Sequence, residues 1–376
     1  MRQPDRFSSF RLPLFGLVIG MLLAGGWAAL QRAGWALPMV SIPLVGMHGP
    51  LMMGGLFGTL IALERATAVG VFIHARWPYA APVLSALGGL LLIVIGPHPV
   101  AKVCLLAGGF SLTFVYAYTA TTRRFWSLHT AILCAGAAFW AFGSFLWLLG
   151  QPLYVVVHSW IAFLILTIVG ERLELTRVRR LAASVERLLV LCVGLYATGA
   201  LLTAVSLDAA VRLAGLGEVC IALWLLRFDI AGQSVRQSGL TRYIALCLIA
   251  GYLWLAVAGG FGLLFGAVYA GFQYDALIHA VLVGFVFSMV FGHAPLIIPA
   301  LTGRQVAYHP IFYSALLLLH LTLLLRLYSD LTLDFKLRKW AGLLNAVAVL
   351  MFMFLLLYSL VIRRPSHLTT NLTTTS

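Results

Sequence analysis

Acidic side chains are scarce in this sequence: 11 aspartates and glutamates in 376 residues, against 25 lysines and arginines, with all charged types together at only 10%. Soluble domains carry roughly a quarter charged residues, so a water-soluble fold is excluded. Cysteine is scarcer still. Cys104, Cys134, Cys192, Cys220 and Cys247 stand singly inside apolar stretches without a Cys-x-x-Cys spacing. That excludes a disulfide framework and a thiolate zinc site, and leaves them as small packing residues. Strict apolar–polar alternation is also lacking, which excludes a membrane barrel. No small-residue cleavage site follows the first apolar run, so an uncleaved first span is expected.

What is present is hydrocarbon. Hydrophobic residues make up 62% of the chain and the mean hydropathy is +1.01. A bilayer-crossing helix needs about 20 apolar residues, and twelve such runs occur: 12–30, 38–63, 77–96, 99–119, 126–149, 152–171, 186–206, 209–227, 241–266, 273–300, 310–328 and 340–362. Backbone groups in lipid must be satisfied within the segment. The expected fold is therefore an all-α polytopic membrane bundle of about twelve transmembrane helices, one integral membrane domain over residues 1–376.

The net charge of +14 does not indicate nucleic acid, because the basic residues lie in short clusters between apolar runs and not in one patch with aromatic platforms. They report topology instead. With Arg2, Arg6 and Arg11 in the cytoplasm, Arg65 and Arg76, Arg123 and Arg124, the run from Arg172 to Arg187, Arg227 to Arg242, Arg304, and Arg363 with Arg364 fall on the same side. Both termini are then cytoplasmic, as for a multi-pass protein of a bacterial inner membrane. Lys336, Arg338 and Lys339 break the rule, on the outer face, partly balanced by Asp330 and Asp334.

Three segments align: "MHGPLMMGGLFGTLIALERA" (47–66), "VHSWIAFLILTIVGERLE" (157–174) and "IHAVLVGFVFSMVFGHAP" (278–295), in spans 2, 6 and 10. Each opens with a histidine and continues apolar to a polar residue near the inner end. Repeats 1–125, 126–240 and 241–376 follow, a pseudo-threefold set of four-helix arcs. With a rise of about 1.5 Å per residue, His48 lies roughly 14 Å below its outer span end, His158 and His279 roughly 9 Å, and His320 of span 11 roughly 12 Å. Four histidines thus share the outer half of the bilayer.

An ionisable group inside a span is costly and usually faces the bundle interior or a wet cavity. Neutral imidazole ligates heme iron and copper; the plainer alternative for each ring is an interhelical hydrogen bond. His279 and His293, fourteen residues apart, lie on nearly one helix face but about 21 Å apart. His293 therefore belongs to an inner-side feature, with His129 a candidate neighbour and a proton path a candidate role. The glycines after His48 (Gly49, Gly54, Gly55 and Gly58, with Pro50) form a low face for a neighbouring helix or a flat macrocycle. Trp160, Phe163, Phe285 and Phe287 are candidates to wall it. Glu218 in "GLGEVCIALWLL" is expected to be the one carboxylate well inside the bilayer, as relay or structural partner. Glu64 and Glu171, each before an arginine, are expected at the interface.

The opening "FRLPLFGLVIGMLLAGGWAAL" (10–30) with the histidine and glycine-rich second span, and "HAVLVGFVFSMVFGHAPLIIPALTGR" (279–304), resemble NnrS, a family of twelve-span heme- and copper-containing membrane proteins linked to nitric oxide stress. A more distant likeness is to heme–copper oxidase subunit I, with ligands on spans 2, 6 and 10. The resemblance implies b-type heme, with copper as a candidate second metal. It places His48 and His279 as axial ligands of one heme and His158 facing a second metal; His320, at a similar depth, is a further metal-ligand candidate. This sequence departs from the oxidase pattern. "VERLLVLCVGLYATGALLTAV" (185–205) lacks adjacent histidines and span 10 lacks His-x-His, so a complete oxygen-reducing centre is not expected.

The expected function is heme binding in redox chemistry or in handling nitric oxide or another diatomic gas, with a membrane or periplasmic electron donor as partner. The alternative is a proton-coupled small-molecule transporter or channel, with Glu218 and His293 on the proton path. Transporters interrupt spans in matching halves, and only span 2 is strongly interrupted by glycine and proline.

Overall fold

A computed structural model describes residues 8–39, 42–122, 126–176 and 181–361. Arg2, Arg6, Arg123, Arg124, Arg177, Arg179, Arg180, Arg363 and Arg364 of the topology argument lie outside the described residues. Twelve helices are long and apolar enough to cross a membrane: α1 Phe10–Arg32, α2 Leu44–Ile73, α3 Trp77–Ile95, α4 Pro99–Thr122, α5 Leu128–Leu148, α6 Leu153–Thr176, α7 Ala183–Leu202, α8 Leu207–Phe228, α9 Gly239–Phe265, α10 Phe272–Thr302, α11 Phe312–Leu331 and α12 Phe335–Val361. No strand occurs among the described residues. The chain is an all-α polytopic membrane bundle, as the apolar runs require.

Two of the helix ends that differ from expectation matter later. α2 runs on to Ile73 instead of stopping at 63, and the Arg65 guanidinium within it lies 4.7 Å from the Tyr116 ring centroid of α4. The helix stops where His74 turns left-handed (φ 52°). α12 begins at Phe335, not 340, because the Asp334 carboxylate accepts the Leu337 N–H at 2.9 Å, an N-cap for the first turn.

Successive helices pack side by side around the bundle, and α6 sits at its centre. In its most apolar stretch 83% of residues are buried, against 28% in α1 and in α7. α6 is tied to the α8–α9 connection by a buried ion pair, Arg172 Nε and Nη2 donating to Asp229 Oδ2 and Oδ1 at 3.0 and 2.9 Å. One arginine assigned to topology is thus an internal bolt.

α2 and α10 each contain a π-helical segment, Leu51–Gly58 and Ala280–Phe287. Such widened turns are uncommon and often accompany functional sites. Each begins just after the histidine of its helix. α6 is regular over Leu153–Thr176, a difference among the three aligned segments.

The glycines of α2 divide by role. A Cβ on Gly54 would meet Leu105 at 2.8 Å, on Gly55 Met21 at 3.3 Å, and on Gly58 the Trp140 ring at 2.5 Å, whereas Gly49 faces open space. Three of the four are helix-packing positions, and only Gly49 leaves room beside a histidine. Trp140 is fully buried and stacked on Phe163 (centroids 5.1 Å apart), so it cannot yield. Gly58→Ala is expected to destabilise the protein by about 1–3 kcal/mol, the usual cost of overpacking. Thermal unfolding of the detergent-solubilised variant checks it, with Gly49→Ala as the near-neutral comparison.

Candidate functional site

The sequence around His48 starts a helix. Residues 42–47 form a 3-10 turn, and Pro50 stands in the first α-helical turn, where its missing N–H is harmless. This brings the His48 ring back against α1, its Nδ1 2.9 Å from the Gly25 carbonyl. On α10, His279 Nδ1 lies 2.9 Å from the carbonyl of Asp275, one turn back. A carbonyl only accepts, so each Nδ1 carries the hydrogen and each Nε2 keeps its lone pair. Backbone-fixed Nδ1–H is the arrangement that orients ligating histidines.

Both rings line one chamber of about 970 Å³, bounded by α1, α2, α6, α10, α11 and α12. By the rise per residue, His48 lies about 6 Å and His279 about 10 Å from the same end of their helices. His48 is shallower than expected because α2 starts later than residue 38.

Its polar lining is cationic. Arg32, Arg326, Arg338 and Lys339 all reach the chamber. Asp275 organises two of them: its carboxylate accepts from Arg326 Nε at 2.7 Å and Nη2 at 2.9 Å, and from Arg338 Nη2 at 2.9 Å. Arg338 also reaches Asp330, at 3.2 Å. Lys339 donates to the Gly34 carbonyl at 2.7 Å and lies 4.4 Å from the Trp35 ring centroid. The cluster that broke the positive-inside rule is therefore built into the bundle. Arg326 and Asp275 were missed by sequence reasoning, although an arginine inside "LHLTLLLRLYSD" was a visible signal.

The other expected site residues do not join this pair. His158, His320 and Glu218 line neither chamber described here. His320 Nδ1 accepts from Trp254 Nε1 at 3.0 Å, the interhelical hydrogen bond of the plainer reading. Glu218 is buried in α8 within electrostatic reach of Tyr196. Among the described residues no group of three or more His, Cys, Asp or Glu stands close enough to hold a metal ion. Of the aromatic candidates, Trp160 and Phe287 line the chamber, whereas Phe163 and Phe285 pack elsewhere in the core.

A second, smaller chamber of about 150 Å³ continues beneath the first. Leu22, Phe57, Phe287 and Val349 border both. Phe57 and Phe287, near the ends of the two π-helical segments, meet edge to face with centroids 5.5 Å apart. Glu64, Thr167, Glu171 and His293 supply its polar groups. Glu64 and Glu171 lie within electrostatic reach of each other and of Arg65. His129 does not accompany His293; it binds Ser127 at 2.7 Å at the start of α5. Glu218 is therefore not the one carboxylate inside the bundle.

No curated protein matches this chain. Over residues 11–361 it matches the model of a family described as "Domain of unknown function (DUF8744)", and the chain belongs to that family.

Proposed function

We propose that this chain is a heme-binding membrane protein that holds one heme, of b type, between His48 and His279. The observation that carries the reading is two imidazoles with backbone-fixed Nδ1–H lining a single chamber of about 970 Å³. That volume is at the upper end of the roughly 300–1,000 Å³ typical of ligand and cofactor sites. The chamber's cations suit the two propionates of a heme, with Arg32, unengaged by Asp275, available as a partner. Gly49 gives room beside the ring of His48. Heme bound there supplies one-electron chemistry. The residues of this chain orient the ligating nitrogens, neutralise the carboxylates and exclude bulk water.

The role that follows is redox chemistry or handling of nitric oxide or another diatomic gas. The chain is placed in a bacterial cytoplasmic membrane, with cytoplasmic termini and a membrane or periplasmic electron donor. Copper is not part of this reading, because no group of three or more His, Cys, Asp or Glu close enough to hold a metal ion occurs among the described residues. Protein purified from heme-replete cells is expected to show a Soret band and, on dithionite reduction, the sharp visible bands of a low-spin bis-histidine heme. A featureless spectrum would overturn the proposal.

One observation favours a proton-coupled transporter as second reading. The two chambers are stacked with the Phe57–Phe287 pair between them, and Glu64 and Glu171 sit in the second. Uptake of a substrate into proteoliposomes, coupled to an imposed proton gradient, would support it.

A further inference from the structure

The stretch "DALIH" sets Asp275 and His279 four residues apart, so the two side chains leave α10 on the same face. No acidic residue stands three or four positions from His48 in α2. The two imidazoles of the first chamber are therefore not alike. His48 Nδ1–H meets an uncharged acceptor, the Gly25 carbonyl, at 2.9 Å. His279 Nδ1–H meets the Asp275 carbonyl at 2.9 Å and has Oδ1 of the same residue's carboxylate 3.4 Å away.

At 3.4 Å the carboxylate acts on the ring as a charge, the nearer carbonyl being the hydrogen-bond acceptor. Water screens that charge little, since the side chains of His279 and Asp275 are only 16% and 10% exposed. It is also fixed in place. Arg326 and Arg338 hold it through contacts of 2.7, 2.9 and 2.9 Å, so it cannot swing away from the imidazole. A carboxylate at the outer nitrogen makes a ligating histidine a more basic donor. A more basic donor stabilises oxidised iron over reduced iron.

We propose that Asp275 is a positioning residue that lowers the reduction potential of heme held in the first chamber, acting through His279 and leaving His48 the weaker of two unequal donors. The inference rests on the heme reading above. It adds which of the chamber's charged groups governs electron affinity. Loss of the carboxylate leaves a less basic ring, and it leaves Arg326 and Arg338 with one negative charge fewer beside them; both consequences favour the reduced state. Asp330 supplies the comparison. It carries the same charge 3.2 Å from Arg338, yet its contact is with that arginine and not with the ring.

The test is a potentiometric titration of the purified holoprotein in nanodiscs, read from the low-spin visible bands. Asp275→Asn keeps the side-chain size and the main-chain carbonyl that orients the ring. Its midpoint is expected to rise by about 59 mV, a tenfold change in a one-electron equilibrium. Asp330→Asn should raise it by less than half as much. Arg338→Gln, which leaves the carboxylate less neutralised, should lower the midpoint, and it carries the test if Asp275→Asn fails to fold. An unmoved midpoint in Asp275→Asn, an equal rise in Asp330→Asn, or a rise in Arg338→Gln overturns the inference. A wild-type protein with no Soret band overturns the heme reading itself, whereas intact low-spin bands with an unmoved midpoint remove the role of Asp275 and leave the heme in place.

Discussion

Asp275→Ala is expected to lower the stability of the folded protein by about 3–5 kcal/mol, the loss that follows when a buried ion pair keeps only one partner. The reason is that one carboxylate serves two guanidinium groups. Arg326 of α11 engages it through Nε and Nη2, and Arg338 of α12 through Nη2. The Asp275 side chain is only 10% exposed and that of Arg326 16%. Arg338 retains Asp330 at 3.2 Å, but Arg326 has no second carboxylate within hydrogen-bond reach among the described residues. The expected readout is a large drop in the thermal unfolding midpoint of the detergent-solubilised protein. Asp275→Asn should fall between, since an amide oxygen still accepts. The double variant Asp275→Leu with Arg326→Met should recover most of the loss, because replacing both members of a buried pair by apolar residues of similar size is often neutral. If Asp275→Ala unfolds at the wild-type temperature, the cluster is not holding α10, α11 and α12 together.

The fold was legible because lipid leaves few options. Apolar runs of about 20 residues must be helices, and that argument located all twelve. It failed at helix ends, where the deciding groups are side-chain partners that no hydropathy pattern contains. Arg65 looked like a helix stop, yet α2 runs on to Ile73 with that guanidinium over the Tyr116 ring. A charge between apolar runs was read as topology, and Arg172, Arg338 and Lys339 answer instead to Asp229, Asp275 and the carbonyl of Gly34. The histidines show the limit of depth arguments. Depth alone grouped His48, His158, His279 and His320, but azimuth around each helix decides which rings meet, and only His48 and His279 line one chamber. Azimuth was unreadable in α2 and α10 because the π-helical segments shift it relative to a regular helix of 3.6 residues per turn.

Replacing either His48 or His279 by alanine is expected to abolish low-spin heme absorption entirely, the largest effect anticipated for any substitution at the site. A bis-imidazole heme has no spare strong ligand, and Met52 and Met53, which also border the chamber, are weak acceptors that do not reproduce the imidazole spectrum. His158→Ala and His320→Ala should leave the Soret position and reduced bands unchanged, because neither ring lines the chamber. Loss of the band could also follow from misfolding, and added imidazole separates the two. In His279→Ala the ring space is vacated while the Asp275 carboxylate keeps Arg326 and Arg338, so free imidazole can enter and restore the low-spin bands. In His48→Ala the Gly25 carbonyl, which holds the wild-type Nδ1–H at 2.9 Å, remains to orient the added ring in the same way. Rescue in both variants establishes that each histidine acts as a ligand and not as a packing residue. Unchanged spectra after either substitution would remove that histidine from the iron and transfer the first chamber to the transporter reading.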